Sequence, residues 1–439
     1  MLDRANSEPR ALVIGAGIAG IQAALDLAAA GHRVVLLDRN PSIGGRMAQL
    51  SETFPTLDCA MCILAPRLAE VARHPSIELL TYCEVRAAKK ELDRFLVLVE
   101  QKPRYVDADK CNGCGECVSV CPIEVPSEYD EGVALRKAIF VPHPQAVPMK
   151  YLIDLPNCIR CFRCVDACGK LDAIDLGQQP RHFWIDADSI MVATGFDQFP
   201  VEKLTEYGYG VVPDVITSLE FERILSAAGP TAGQVRRPSD GMVPQEVVFV
   251  QCVGSRDPEL GVPYCSKVCC MYTAKHAMLY KHRVPTGQAY VFYIDVRAAG
   301  KGYEEFVQRA VVEEHVLYLR GKVSRVFRDG DKVMVWGVDT LTARQVEIGA
   351  DLVVLAPALV PSEGVRQLAS ILGLQVDVDG FVTEVDANDH PMDTGVPGVF
   401  AMGAAVSAKD IPESVSQASG AAARALGFFA QSARGKDSP

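Results

Sequence analysis

Ala11-Leu12-Val13-Ile14-Gly15-Ala16-Gly17-Ile18-Ala19-Gly20 is the stretch that decides the fold. A short apolar run meets a glycine-spaced turn, and an Ala/Leu-rich segment follows to Ala30. Arg33-Val34-Val35-Leu36-Leu37-Asp38 then reads as a buried strand ending in an acid. Strand, tight turn, helix and strand in that order predict a parallel sheet. Gly15, Gly17 and Gly20 form G-x-G-x-x-G at the strand–helix junction. The first glycine permits the turn, and the second lets backbone N–H groups approach a pyrophosphate. The third allows close helix–strand contact, and the helix N-terminus favours negative charge. Asp38 lies 18 residues beyond Gly20, where a carboxylate can accept hydrogen bonds from ribose hydroxyls. The bland alternative is a tight strand–helix turn without a ligand; here strand, helix and terminal acid agree on a dinucleotide site.

Outward from this motif, Ala11 to Ala30 is about as long as a membrane span. Its glycines, Gln22 and Asp26 fit a strand-turn-helix better, so no membrane span is expected. Met1 to Pro9 lacks the apolar core of a signal peptide, which points to the cytoplasm. The 439 residues suggest two or three domains at roughly 150 residues each. With 49% apolar and 23% charged residues, the chain is an ordinary globular mixture and not a disordered one. The net charge of −11 and the lack of a basic stripe argue against nucleic acid as a partner.

Gly44-Gly45-Arg46, shortly after the acid, favours FAD over NAD, because flavoproteins often place such a glycine pair beside the pyrophosphate. Ala193-Thr194-Gly195 and Gly398-Val399-Phe400-Ala401-Met402-Gly403 resemble the two later segments of a two-dinucleotide flavoprotein. The second usually continues with Asp on the ribityl chain; Ala404 stands there instead, so that contact must differ.

Fifteen cysteines are the main anomaly. An odd number in a large chain without an export signal makes a disulfide framework a poor reading. Cys111, Cys114, Cys117 and Cys121, followed by Pro122, have the ferredoxin spacing. Cys158, Cys161, Cys164 and Cys168 repeat it, with Gly169 in place of the proline. Closely spaced thiolates on a turn wrap three corners of a four-iron cubane, and the fourth comes from the other run. Cys111, Cys114, Cys117 and Cys168 are thus assigned to one [4Fe–4S] cluster, and Cys121, Cys158, Cys161 and Cys164 to a second. Zinc on four thiolates is the alternative. Two complete runs, the first capped by proline, weigh against it.

Gln251-Cys252-Val253-Gly254-Ser255-Arg256 stands where a second dinucleotide domain would carry its glycine turn, yet only Gly254 is present. Cys265, Cys269 and Cys270 follow. Cys265 and Cys269 can share one helical face, whereas Cys270 points elsewhere. Spacing alone leaves a third cluster and a set of buried free thiols equally open. Cys59, Cys62 and Cys83 are open between cluster-related, redox-active and structural roles. His74, His276 and His390 read as surface or core residues.

Further along the chain, Ser189–Gly195, ending at a glycine turn, and Glu246–Val250, Tyr290–Asp295, Val316–Leu319 and Leu352–Pro357 are expected strands. Tyr303–Glu314 and Ile411–Phe429 are expected helices. Composition shifts at Pro103, and the text stays dense in Cys, Pro and Gly to about Gln179, as in a small domain held by metal.

Taken together, these strings resemble the A-type subunits of the heterodisulfide reductase family, which are iron–sulfur flavoproteins, over nearly the whole chain. The strongest matches are Phe54 to Leu64, the cysteine-rich insert with Pro144-Gln145-Ala146-Val147-Pro148, and Gln251 to Arg256. Pro263 to Lys275 and Lys409-Asp410-Ile411-Pro412 add to them. The resemblance implies an α/β fold: a thioredoxin-reductase-like two-dinucleotide core with an inserted two-cluster ferredoxin. Residues 1–102, 181–215 and 361–439 would form the FAD domain, 103–180 the insert, and 216–360 a second Rossmann-like domain. It also implies a [4Fe–4S] cluster on Cys252, Cys265, Cys269 and Cys270, and a lysine, Lys275, near the flavin N5. A surface helix lysine is the plain alternative for Lys275.

The function so implied is electron transfer within a complex, with flavin-based bifurcation as a candidate activity. Expected partners are the other subunits of a heterodisulfide-reductase-like complex and a ferredoxin or a hydrogenase or dehydrogenase module, with a homodimer inside the assembly. Large archaeal members carry an N-terminal extension and a C-terminal ferredoxin absent from these 439 residues. The electron entrance or exit they supply is therefore expected from partners. Three readings compete: the A-type component of a quinone-interacting or benzoyl-CoA reductase complex, part of an NAD(P)H oxidoreductase, or an electron wire without turnover of its own.

Overall fold

Apolar strands of three to eight residues, too short for buried helices, sort into two parallel sheets in the computed structural model. It describes residues 8–91 and 94–436. The first sheet has the order Val399–Ala401, Ser189–Val192, Arg10–Ile14, Arg33–Asp38, Ile77–Thr81. The glycine-bearing strand Arg10–Ile14 is central, and every pairing in this sheet is parallel. Helices Ile18–Ala29 and Ile411–Lys436 pack together on one face. Strands covered on both sides read as continuous apolar text, which is why Leu12, Val13 and Leu36 are all fully buried. Cutting Leu36 back to Ala would cost about 2–5 kcal/mol.

The second sheet repeats the plan with the order Val215–Thr217, Leu352–Pro357, Glu246–Val253, Gln288–Tyr293, Leu317–Arg320, again all parallel. Helix Cys269–Arg283 packs against its central strands. Each parallel sheet is accompanied by a three-stranded antiparallel sheet, Cys83–Glu91, Arg94–Gln101 and Arg181–Ala187 on the first, Val323–Asp329, Lys332–Asp339 and Arg344–Ala350 on the second. The chain passes between the two halves at Phe196–Gln198 and Leu359–Pro361, which pair antiparallel as a two-stranded ribbon.

The cysteine-rich segment hangs from the first antiparallel sheet. Arg94–Gln101 leads into it and Arg181–Ala187 leads out, with Gln101 opposite Arg181. Its own elements are short, such as helices Glu116–Ser119 and Arg163–Cys168. Its small core includes Val106, Ile139, Ile153 and Ile174 together with Cys111 and Cys117.

Candidate functional site

The strand Arg10–Ile14 ends in a turn that only glycine can make. Gly15 has φ +103°, and a Cβ there would lie 2.3 Å from the Ala193 carbonyl oxygen. A Cβ on Gly20 would lie 1.8 Å from the Gly15 carbonyl oxygen, so the third glycine serves helix–strand contact. Gly17 caps helix Ile18–Ala29 without a side-chain hydrogen bond. The first-turn N–H groups thus remain available to an anion. Asp38 is buried at the next strand end. Its Oδ2 accepts from Ala16 N and its Oδ1 from Asn40 N, both at 2.7 Å. Burial raises its pKa above the usual value, against the pull of those hydrogen bonds.

The glycine pair closes over this turn. Gly44 donates its N–H to the Ala16 carbonyl at 2.8 Å, and Gly45, at φ +55°, abuts Gly17. A cavity of about 1280 Å³ opens here, with Gly15, Gly17, Asp38, Gly45 and Arg46 in its wall. Arg46 is held by Glu131 at 2.9 Å and Asp197 at 2.7 Å. Thr194 and Gly195 line the cavity further on, and the buried Thr194 Oγ1 has no protein partner. A glycine-walled cradle, free helix N–H groups and an orphaned hydroxyl fit a dinucleotide such as FAD. Gly403 does not line the cavity; its N–H is taken by Gln417 Oε1 at 2.7 Å, while its neighbours Met402 and Ala404 do.

Lys275 reaches the same cavity from the second half of the molecule. It is 1% exposed, which removes the reading as a surface lysine. Its Nζ donates to the Glu52 carbonyl at 2.7 Å and to the Glu222 carboxylate. Burial pushes the Glu222 carboxyl up, but the Lys275 ammonium and the His276 ring outweigh it and hold it far below the usual range. Burial conversely lowers the pKa of His276. Glu222, in helix Ser218–Leu225, carries no signal in the sequence: it is one acid in an amphipathic run.

The strand Glu246–Val253 runs to the place where a second dinucleotide would dock. Cys252 sits there in the left-handed region, φ +59°, which costs a non-glycine residue about 1–2 kcal/mol. Cys269 and Cys270 open helix Cys269–Arg283; Cys265 lies before it, beside the irregular turn at Lys267, φ +63°. The expected shared helical face of Cys265 and Cys269 is therefore replaced by a turn plus a helix start. Hydrogen bonding with Cys269 lowers the Cys252 thiol, and the same contact with that to Cys270 drives Cys269 upward. Arg256 faces both Cys252 and Cys265 and is paired with Asp295 at 2.6 Å.

In the insert, Cys121, Cys158, Cys161 and Cys164 line one small pocket, walled by Ile139 and Ile153. Burial pushes the Cys117 thiol up to about 12, and the neighbouring Cys111 and Cys114 add to that rise. Among the described residues no group of three or more His, Cys, Asp or Glu side chains is drawn together as a single-ion site. Cluster assignment thus stands on spacing and shared neighbourhood. Cys59 and Cys62 are joined as a disulfide at the N-terminus of helix Ala60–Arg73, and Cys83 is a buried free thiol whose pKa burial raises to about 12.

The insert is docked onto the glycine-pair loop. Arg223 is 2% exposed and bridges the Gln49 carbonyl at 2.8 Å and Asp130 at 3.0 Å. Its guanidinium lies over the Tyr129 ring at 4.6 Å. His143 stacks on the same ring, with centroids 4.6 Å apart.

Residues 13–74 match an NAD(P)-binding Rossmann-like domain, and residues 110–174 match a 4Fe-4S dicluster domain. The chain is 48% identical, over 95% of its length, to the A-type subunit of the H(2):CoB-CoM heterodisulfide,ferredoxin reductase of Methanothermobacter marburgensis. It is 50% identical, again over 95%, to the first of two iron-sulfur A-type subunits of the CoB--CoM heterodisulfide reductase of Methanopyrus kandleri. Relatives named as A-type subunits of heterodisulfide reductases are thus 48–50% identical to this chain over 94–95% of its length. The chain spans 63% and 64% of the length of the Methanothermobacter and Methanopyrus relatives. Among solved structures, a thioredoxin reductase of T. acidophilum is similar over 97% of this chain and 99% of its own, with TM-score 0.54 and 16% identity. The Lactococcus lactis thioredoxin reductase is similar over 97% of this chain and 100% of its own, with TM-score 0.54 and 17% identity. This chain thus has an α/β core of thioredoxin-reductase type with a Rossmann-like dinucleotide-binding motif and a 4Fe-4S dicluster domain inserted in it.

Proposed function

We propose that the chain is the electron-distributing FAD and [4Fe–4S] subunit of a heterodisulfide-reductase-like complex. The observation that carries this reading is a single helix. Cys269–Arg283 presents Cys269 and Cys270 at its start and Lys275 in the wall of the flavin cavity. At 1.5 Å per residue, Cys270 and Lys275 are separated by roughly 8 Å along the axis. Thiols in the seat of a second dinucleotide are thus tied to the flavin cavity by one rigid element.

FAD would exchange electrons in pairs or singly, and each cluster singly, so the flavin would serve as the converter between the two modes. Gly15, Gly17, Gly45 and Asp38 would hold the dinucleotide, with Thr194, Gly195 and Arg46 beside it. Lys275 would favour negative charge on the flavin. Cys111, Cys114, Cys117 and Cys168 would hold one cluster; Cys121, Cys158, Cys161 and Cys164 a second; Cys252, Cys265, Cys269 and Cys270 a third. Arg256 would balance thiolate charge at the third. A chain rich in cluster thiols suits the reducing cytoplasm. Partners would be the other subunits of the complex and a low-potential carrier such as a ferredoxin, with a homodimer inside the assembly.

The test is anaerobic purification of the native complex with flavin, iron and sulfide counted. The expected content is one FAD and about twelve irons per chain, four for each set of four thiolates. About eight irons would remove the third cluster. Bifurcation is read separately: rapid reduction by the physiological donor must yield one high-potential and one low-potential product together. NADH bleaching of the isolated chain at catalytic rates would favour a nicotinamide oxidoreductase instead.

A further inference from the structure

The Glu222 carboxylate is gripped on every side. Its Oε2 accepts from the Ser51 N–H at 2.9 Å and from the Ser51 hydroxyl at 2.7 Å. Its Oε1 accepts from the Lys275 ammonium and from His276 Nε2, the latter at 2.6 Å. A carboxylate offers about four lone-pair sites, and four donors occupy them. Glu222, Lys275 and His276 are 2%, 1% and 1% exposed. Three elements converge on the acid: the loop after the glycine pair, helix Ser218–Leu225 and helix Cys269–Arg283. The wall of the cavity includes Glu52, Glu222, Lys275 and His276, so this knot of groups borders the flavin space directly.

We infer that Glu222 is a positioning residue: it fixes the Lys275 ammonium at the cavity wall and offsets its charge, so that the Glu222–Lys275 pair, not Lys275 alone, sets the flavin potential. The inference rests on the flavin reading given above. A lysine is a point charge on a flexible four-carbon stem, and the Glu52 carbonyl alone gives it a single anchor. The carboxylate supplies the second anchor and cancels most of the field a bare ammonium would cast in a dry site. Stability does not explain the arrangement. A buried ion pair rarely outperforms apolar residues of similar volume, so keeping one in the wall of a redox cavity points to use. His276 completes the grip from one residue along the same helix. It bonds the same oxygen as the lysine and so fixes the carboxylate rotamer that faces Lys275.

The experiment is an anaerobic equilibrium titration of the FAD midpoint potential in the full chain, loaded with flavin and clusters. It compares wild type, E222Q, E222D, K275M and the E222Q/K275M double variant. E222Q removes the compensating charge and shifts the potential positive; K275M shifts it negative. The double variant shows a smaller positive displacement relative to K275M than E222Q shows relative to wild type, because the acid acts through the lysine. E222D keeps the charge but retracts it by one methylene, and gives a smaller shift of the same sign as E222Q. If E222Q does not retain flavin, E222D carries the test by the same readout. An unmoved potential in both acid variants overturns the inference, as does an E222Q displacement equal in size with and without Lys275. Wild-type protein that takes up no FAD refutes the flavin reading itself, a result distinct from flavin-loaded variants with unchanged potential.

Discussion

Gly45 and Gly17 meet backbone to backbone: a Cβ on Gly45 would lie 2.8 Å from the Gly17 Cα. The glycine pair and the glycine turn therefore form one closed clasp, and any side chain at residue 45 opens it. Gly45 also has φ +55°, a conformation that costs an L-residue about 1–2 kcal/mol.

G45A is expected to weaken FAD retention at least tenfold while the second half of the molecule stays folded. The flavin-to-protein ratio after desalting, set against the far-UV circular dichroism melt, checks it. Retention of flavin at wild-type level would show that the clasp does not hold the pyrophosphate.

Crossed ligation in the insert is also open to test. Cys121 belongs by sequence to the first cysteine run but shares a pocket with Cys158, Cys161 and Cys164 of the second. C121S is therefore expected to disturb the same cluster as C161S, and C168S the same one as C114S. Low-temperature electron paramagnetic resonance of the reduced variants distinguishes the two clusters. Variants that sort by run, Cys121 with Cys114 and Cys168 with Cys161, would refute the crossing.

Local chemistry is legible in the sequence and convergence is not. Leu352–Pro357 occurs with the bounds its apolar text predicts, because a strand covered on both faces has no reason to interrupt itself, whereas the strand expected over Ser189–Gly195 ends at Val192, ahead of the glycine turn. The helix at Tyr303 ends at Val312 and the one at Ile411 continues to Lys436, since fraying and capping, not composition, set those ends. The six strands of the two three-stranded sheets leave no clear trace in the text. Lys332–Asp339 is buried only at alternate residues, and mixed polar text of that kind matches many exposed turns. At the site, Lys275 is reachable through the family strings around it. Glu222 is not, because its meaning comes from Ser51, 171 residues away, and from His276, 54 residues away.

Arg223 ties the insert to the loop after the glycine pair, its guanidinium buried between Gln49 and Asp130. R223M leaves Asp130 without its cationic partner, with the Ser127 hydroxyl still donating to the carboxylate, and breaks the Gln49 contact. Removing one member of a buried pair costs roughly 3–5 kcal/mol, and the partly exposed Asp130 places this pair at the lower end. Limited proteolysis at the insert's two connections should accelerate before the parallel sheets melt. Equal protease resistance in R223M and wild type would mean that the insert is held by other contacts.

His143 makes that same docking sensitive to acid. The ring is 4% exposed, stacks on Tyr129 and lies 3.4 Å from Ser42 Oγ. Burial, helped by the nearby Arg223, lowers its pKa from 6.5 to about 4. The folded protein thus keeps His143 neutral where the unfolded chain would already bind a proton. Stability from this group is complete above pH 6.5, declines as pH falls below it, and is lost in full once pH drops under about 4. One unit of pKa difference corresponds to about 1.4 kcal/mol, so between pH 6.5 and 5 the loss is about 2 kcal/mol. H143F keeps the ring stack and removes the titration. Urea midpoints at pH 7.5 and 5.0, measured anaerobically, should fall less for H143F than for wild type by an amount equal to that loss. Parallel declines in the two proteins would show that acid acts elsewhere, at the clusters or at carboxylates such as Glu222.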